Sequence, residues 1–89
     1  MEGARILVSG RVQMVGFRYF TVRQAEALGV KGYVRNLPGG GVEIEAEAAP
    51  EDLKKFIAAV SEGPSSARVE KADIQSRPVS GYTGFGIRY

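Results

Sequence analysis

The chain has 89 residues, 44% of them apolar and 25% charged, which is typical of one folded globular domain and excludes a disordered segment. Its 12 basic and 10 acidic residues are spread along the chain, so the net charge of +2 does not indicate nucleic-acid binding. Without cysteine or histidine it has no disulfide, no thiolate or imidazole metal ligand and no imidazole for acid–base catalysis.

The first third of the chain predicts a strand, a loop and a helix. Residues 4–12 alternate in the manner of a strand that ends near Gly10. From Phe17 the apolar residues recur at helical spacing as far as Leu28, and Gly29 is the expected stop.

The middle of the chain predicts a β-hairpin. Residues 30–36 and 42–48 are strand-like, and the Leu-Pro-Gly-Gly-Gly run at 37–41 supplies the dihedral angles that a tight connection needs. In the second strand apolar residues alternate with glutamates, which predicts one face on the core and one in water. Three carboxylates could also suggest a metal site, but a solvated face is the preferred interpretation for Glu43, Glu45 and Glu47.

The last part predicts a second helix and two strands. Pro50 and two acidic residues form a first helical turn, a stripe at i, i+3, i+4 and i+7 follows, and Gly63-Pro64 ends the helix. Residues 67–77 predict a strand whose apolar positions change phase, which indicates a bulge in an edge strand. Residues 85–89 predict a short final strand.

The predicted fold is α+β, with the order βαββαβ and a terminal strand. This is the ferredoxin-like split βαβ sandwich, in which two helices cover one face of an antiparallel sheet. We expect residues 1–89 to form a single domain of this kind. The fold hosts enzymes, RNA binders, metal carriers and regulatory domains, so function has to be argued from a site.

The loop from Gly10 to Arg18 has the features of an anion site. Its two glycines allow a tight turn, and free amides at a helix N-terminus, helped by the helix dipole, attract anions. Arg18 would add a bidentate fork for phosphate oxygens. An ordinary loop with a solvated arginine is the alternative, and no Walker motif is present. Asn36, at the end of a predicted strand, is by itself more typical of a turn.

Together these segments resemble the acylphosphatase family along almost the whole chain. The family's glycine-bounded Val-Gln-Gly-Val loop ending in Phe-Arg is matched by residues 10–18, and its Gly-aromatic-Val-basic-Asn strand by residues 32–36. The hairpin at 37–43, the second helix exit at 63–69 and the terminus at 85–89 also resemble the family. Coincidence does not account for five separated matches.

The resemblance implies a metal-independent acylphosphatase that uses no cofactor and splits acyl phosphates into carboxylate and inorganic phosphate. It implies that Arg18 binds the substrate phosphate with the loop amides and that Asn36 positions the attacking water. A carboxylate leaves readily because its parent acid has a pKa near ~4, so a general acid is dispensable. The phosphate-binding loop would consist of Gln13, Met14, Val15, Gly16, Phe17 and Arg18.

Met14 departs from the pattern, because the family usually has glycine after the loop glutamine. If the backbone there has positive φ, methionine is strained by roughly 1–2 kcal/mol, or the loop takes another shape. Either effect would reduce activity or reshape the pocket. Alternatively the dihedral angles are ordinary and Met14 lies along the surface.

The alternative function is a non-catalytic, anion-binding regulatory domain of the same fold. A nucleic-acid module would need aromatic platforms, for which Tyr33 and Phe85 are weak candidates, and metal carriage would need cysteine or histidine. We therefore expect acyl phosphate, phosphate or other anions as ligands, no nucleic acid or membrane as a partner, and a monomer. With no signal peptide and no apolar span, the predicted location is the cytoplasm.

Overall fold

The computed structural model describes residues 1–89 and contains five strands and two helices, as the sequence predicts. The predicted helix starts and stops and both hairpin strands are confirmed within one or two residues. Neither helix is long and apolar enough to cross a membrane. In chain order the elements are β1 (Glu2–Arg11), α1 (Phe17–Leu28), β2 (Lys31–Asn36), β3 (Val42–Ala48), α2 (Pro50–Glu62), β4 (Arg68–Arg77) and β5 (Phe85–Arg88).

Both helices pack one face on the sheet and end at glycine. Gly29 has φ 68° at the end of α1, a left-handed conformation that costs glycine little. The first turn of α2 begins with proline and carries two acidic residues, which suits the positive end of the helix dipole. The fifteen-residue apolar core lies between helices and sheet, with Phe17 of α1 and Phe56 of α2 as its largest members.

The sheet has the strand order β4-β1-β3-β2-β5. The first four strands pair antiparallel, but β5 runs parallel to β2, so the predicted antiparallel sheet is in fact mixed. The direction follows from the path of the chain. After β4 the chain crosses to the opposite edge at the end of the sheet where β1 and β2 both begin, and β5 therefore runs in the direction of β2.

The predicted bulge in β4 is confirmed, and β4 is an edge strand. Ser9 faces Lys71 and Gly10 faces Val69, so one extra residue, Glu70, is inserted on β4. Gly10 has φ 121°, and a Cβ there would lie only 2.3 Å from a β4 carbonyl oxygen. Glycine is required at this position because the bulge brings the two backbones together.

The prediction of a solvated glutamate face on β3 is wrong for Glu43 and Glu47, and the Glu45 side chain is only 13% exposed. Glu43 is only 3% exposed and Glu47 only 2%. The Glu43 carboxylate accepts hydrogen bonds from Arg5 at 2.8 Å, Arg35 at 2.6 Å and Tyr33 at 3.0 Å. This carboxylate is buried with its partners rather than in water.

Glu47 is buried by the segment that joins β4 to β5. Its carboxylate accepts the backbone N–H groups of Ser80, Gly81 at 3.0 Å and Tyr82 at 3.2 Å. Alternation along β3 places these glutamates on the face away from the helices, but it cannot show that a distant loop returns across that face. No group of three or more histidine, cysteine or acidic side chains is arranged to hold a metal ion.

The carboxylates of Glu43 and Glu47 make the stability of the fold depend on pH. Burial alone would raise the pKa of Glu43 and of Glu47, but hydrogen bonds from the arginines and Tyr33 in one case, and from backbone amides in the other, lower both pKa values below 4.5. As the pH falls, each carboxylate is protonated in the unfolded chain before it is protonated in the folded chain. The stabilisation by the ionised carboxylates is therefore present above about pH 5 and is lost as the pH falls through the depressed folded pKa.

We expect urea unfolding at about pH 7 and about pH 3.5 to show a smaller stability difference in Glu47→Gln than in the native chain. The neutral amide cannot titrate, and at neutral pH it should lower the free energy of unfolding by about 2 kcal/mol, since a charged acceptor of three N–H groups is lost. Glu26→Gln, at an exposed position of α1, is the control. An unaltered pH dependence in Glu47→Gln would contradict this account.

Candidate active site

The loop after β1 and the end of β2 meet at a small cavity of about 180 Å³. Arg18 and Asn36, which come from these two different elements, both line it. The sequence therefore places its two main site candidates at one location. The complete lining consists of Val12, Met14, Gly16, Phe17, Arg18, Tyr19 and Asn36.

The loop presents unpaired backbone amides. None of the N–H groups of residues 13–18 donates to a backbone carbonyl, and no side chain caps α1. Gly16, with φ 78°, is the N-cap residue, and the first turn of α1 contains no acidic side chain. Free donors at the positive end of a helix dipole are an anion-binding arrangement, which supports the predicted cradle.

The Gln13 side chain does not line the cavity. Its Nε2 atom donates to the carbonyl oxygens of Leu37 and Gly41, both at 2.8 Å, and so joins the loop to the turn between β2 and β3. Only the Gln13 backbone amide is available to the cradle. This side chain instead fixes the loop relative to Asn36, the last residue of β2.

Two positions support the loop without any local signal in the sequence. Ser66 Oγ donates to the carbonyl oxygen of Val15 at 2.8 Å, although the two residues are 51 positions apart. This bond fixes the direction of one peptide plane in the loop. The aromatic ring of Tyr89 lies beside Arg18, with the guanidinium carbon 5.2 Å from the ring centroid.

Met14 has φ 63°, and it is the only residue other than glycine with a positive φ. The expectation of a strained backbone is confirmed, and the alternative of ordinary dihedral angles is wrong. The side chain is 99% exposed, so packing in the folded chain does not offset the strain. Met14 nevertheless lines the cavity.

Asn36 has an unusual environment for an amide. Its Oδ1 atom is buried and accepts no hydrogen bond, a condition shared by only one other buried side-chain atom, Ser61 Oγ. A buried acceptor without a donor costs about 1–3 kcal/mol, so an amide of this kind in the lining of a cavity indicates a functional rather than a stabilising role. Arg18 likewise takes part in no ion pair within the chain.

The candidate aromatic platform for nucleic acid is not assembled. Phe85 packs edge-on against Phe56 on the helix side of the sheet, with the ring centroids 5.8 Å apart. Tyr33 lies on the opposite side, where it donates to Glu43 and stacks under Arg88, whose guanidinium carbon is 4.0 Å from the ring centroid. The two rings therefore cannot stack bases on one surface.

A wider cleft of about 560 Å³ lies on the sheet face away from the helices. It is lined by charged groups that already pair with each other, among them Arg5 with Glu43 at 2.6 Å and Arg77 with Glu45 at 3.8 Å. Its charged groups have partners, whereas the Arg18 guanidinium and the Asn36 Oδ1 atom do not. The smaller cavity is therefore the candidate active site.

Comparison with known proteins shows the family to which the chain is similar. The family model for acylphosphatase matches residues 4–87. The acylphosphatase of Archaeoglobus fulgidus is 46% identical over 89 residues, covering 100% of both chains, and that of Methanothrix thermoacetophila is 46% identical over 85 residues, covering 96% of this chain and 94% of that protein. The crystal structure of acylphosphatase from Bacillus subtilis superposes with a TM-score of 0.96 at 39% identity, over 100% of both chains.

The matched region includes the loop, Arg18 and Asn36, and all five strands and both helices lie within the structural match. The chain is thus a hydrolase that acts on acyl phosphates, and the non-catalytic regulatory alternative is not favoured. The similarity extends over the full length in both sequence and fold, and it shows that the chain belongs to the acylphosphatase family.

Proposed function

We propose that this acylphosphatase holds the phosphoryl group of an acyl phosphate between the amides of residues 13–18 and Arg18, while Asn36 orients the attacking water. One observation carries the proposal. The Oδ1 atom of Asn36 is buried without a hydrogen-bond partner, and the residue lines the same cavity as Arg18. A water molecule held in this cavity by the Asn36 amide would lie beside the bound phosphorus.

The cradle suits a tetrahedral dianion. Backbone N–H groups at the start of α1 point their dipoles at the anion, and the planar guanidinium of Arg18 donates two parallel hydrogen bonds to two phosphoryl oxygens. In phosphoryl transfer, negative charge spreads over the three equatorial oxygens in the transition state. Donors fixed in advance around these oxygens stabilise that state without reorganisation.

Asn36 acts by orientation. A carboxamide oxygen accepts a hydrogen bond from water but is too weak a base to remove its proton. As the water oxygen bonds to phosphorus, the bond from phosphorus to the acyl oxygen breaks and its electron pair leaves with the carboxylate. The water proton passes to a phosphoryl oxygen of the substrate, so the products are carboxylate and inorganic phosphate.

The first experiment is release of phosphate from benzoyl phosphate with EDTA present. We expect turnover without added metal, and much slower hydrolysis of phenyl phosphate, because phenolate leaves poorly (phenol pKa about 10) and the cavity lining includes no carboxylic acid or imidazole to protonate it. Binding of inorganic phosphate with no hydrolysis of benzoyl phosphate would contradict the proposal and favour the regulatory alternative.

We expect Gln13 to support catalysis by holding the phosphate-binding loop in position. Gln13→Ala leaves two carbonyl oxygens without their side-chain donor, so the free energy of unfolding should fall by about 1–2 kcal/mol. Because the loop is then no longer joined to the turn after Asn36, kcat for benzoyl phosphate should fall about tenfold. Urea unfolding and steady-state kinetics measure the two effects. Gln75→Ala, at an exposed position of β4, should change neither, and an unchanged kcat in Gln13→Ala would refute the positioning role.

We also propose that residues 1–89 work as one monomeric domain. The amide cradle, Arg18 and Asn36 all belong to a single chain, so the proposed chemistry needs no second copy. Sedimentation equilibrium should give the mass of one chain, and a stable dimer would contradict this. The cytoplasmic location and the lack of a nucleic-acid or membrane partner stay predictions.

A further inference from the structure

Three large, exposed apolar side chains surround the candidate active site. The whole chain has six such side chains, and Met14 at 99%, Tyr19 at 60% and Tyr89 at 96% are among them. Met14 and Tyr19 line the cavity, and the Tyr89 ring lies against the Arg18 guanidinium. We refer to these three residues as the apolar rim.

The size of the cavity determines which part of a substrate would meet this rim. Pockets that enclose a drug-sized ligand have volumes of roughly 300–1,000 Å³. At about 180 Å³ this cavity takes a phosphoryl group and a water molecule, but not a bulky acyl group as well. The acyl half therefore extends past the cavity mouth, where the surrounding side chains are apolar.

Met14 has a conformation that the resting fold does not explain. Its backbone is in the left-handed region and its side chain lies in water, so strain and solvent exposure both oppose methionine there. Strain that no packing offsets indicates a functional contact. Methionine is flexible, polarisable and unbranched, and so can adapt to an apolar ligand surface.

We propose that Met14 is a specificity-determining residue that contacts the acyl half of the substrate, with Tyr19 and Tyr89 completing the apolar surface. The preferred substrates are then carboxyl phosphates with an aromatic or branched apolar acyl group, rather than acetyl phosphate. This inference rests on the proposed function, because it assumes that the phosphoryl group occupies the cradle. If Met14 buries roughly 50 Å² of apolar surface against the acyl group, this burial raises kcat/KM for an apolar acyl group over a small one by about five- to tenfold.

The test compares kcat/KM for benzoyl phosphate with kcat/KM for acetyl phosphate in each variant. The different reactivities of the two compounds affect every variant equally, so changes in this ratio report on the protein. We expect the ratio to fall about fivefold in Met14→Gln, which keeps the chain length but makes its end polar, and to stay within about twofold in Met14→Leu. Val79→Ser is the control, since it removes an exposed apolar side chain that does not line the cavity.

A second measurement separates this inference from the catalytic proposal. Benzylphosphonate and methylphosphonate cannot be hydrolysed, so the difference between their affinities measures the contribution of the apolar rim to binding without turnover. Tighter binding of benzylphosphonate that is lost in Met14→Gln, in a chain that hydrolyses neither substrate, would refute the proposed function and retain the role of Met14. Turnover of both substrates with the same ratio in the native chain and Met14→Gln would overturn the role of Met14 and retain the proposed function.

Discussion

Arg18→Ala is expected to lower kcat/KM for benzoyl phosphate by roughly 10³-fold or more, the effect seen when an arginine that stabilises phosphoryl transfer is removed. The guanidinium lines the cavity and has no ion-pair partner in the chain, so its charge is available to the substrate. Both binding and transition-state stabilisation depend on it. We therefore expect KM to rise and kcat to fall together, and inorganic phosphate to become a weaker inhibitor.

Arg18→Lys separates charge from geometry. Lysine keeps the positive charge but lacks the planar fork, so activity should recover only in part. Arg23→Ala is the matched control, because Arg23 lies exposed on the same helix outside the cavity. Both alanine variants should unfold within about 1 kcal/mol of the native chain, since the Arg18 guanidinium stabilises the fold only through its stacking beside Tyr89. Equal activity in Arg18→Ala and Arg23→Ala would refute the role of Arg18.

The secondary structure was largely predictable because its signals are local. The apolar spacing from Phe17 and the glycine at 29 define α1, and the phase change before Ala72 reveals the bulge in β4. In each case the deciding residues lie within one helix or one strand. Periodicity and end signals contain that information directly.

The features that sequence reasoning missed depend on interactions between distant segments. Alternation correctly placed Glu43 and Glu47 on the face of β3 away from the core. Their burial, however, results from arginines on other strands and from the backbone of residues 80–82. The parallel pairing of β5 likewise depends on where the chain crosses the sheet, and no local pattern records that path.

The candidate site was predictable only through the family resemblance. On their own residues, the loop could have been an ordinary connection and Asn36 an ordinary turn residue. The structure brings Arg18 and Asn36 to one cavity because β2 ends beside the start of α1. Two hydrogen-bonding side chains support that cavity: Gln13 donates to the hairpin carbonyls and Ser66 to the Val15 carbonyl. These contacts can be recognised only from the folded structure.

Asn36→Ala gives a kinetic signature different from that of Arg18→Ala. We expect kcat for benzoyl phosphate to fall by roughly 10²- to 10³-fold, the usual cost of removing one preorganised polar group that meets a reacting atom. KM and inhibition by inorganic phosphate should change little, because the amide contacts water rather than the phosphoryl oxygens. Steady-state kinetics with product inhibition by phosphate measure all three quantities.

Stability provides an independent check on the same substitution. Asn36 Oδ1 is buried without a partner, so its removal relieves an unsatisfied acceptor and should not lower the free energy of unfolding. When a residue does not stabilise the fold but the reaction needs it, that residue is retained for function. Asn36→Ala should therefore lose turnover at unchanged or higher stability in urea. Loss of stability with normal kcat would instead make Asn36 a structural turn residue.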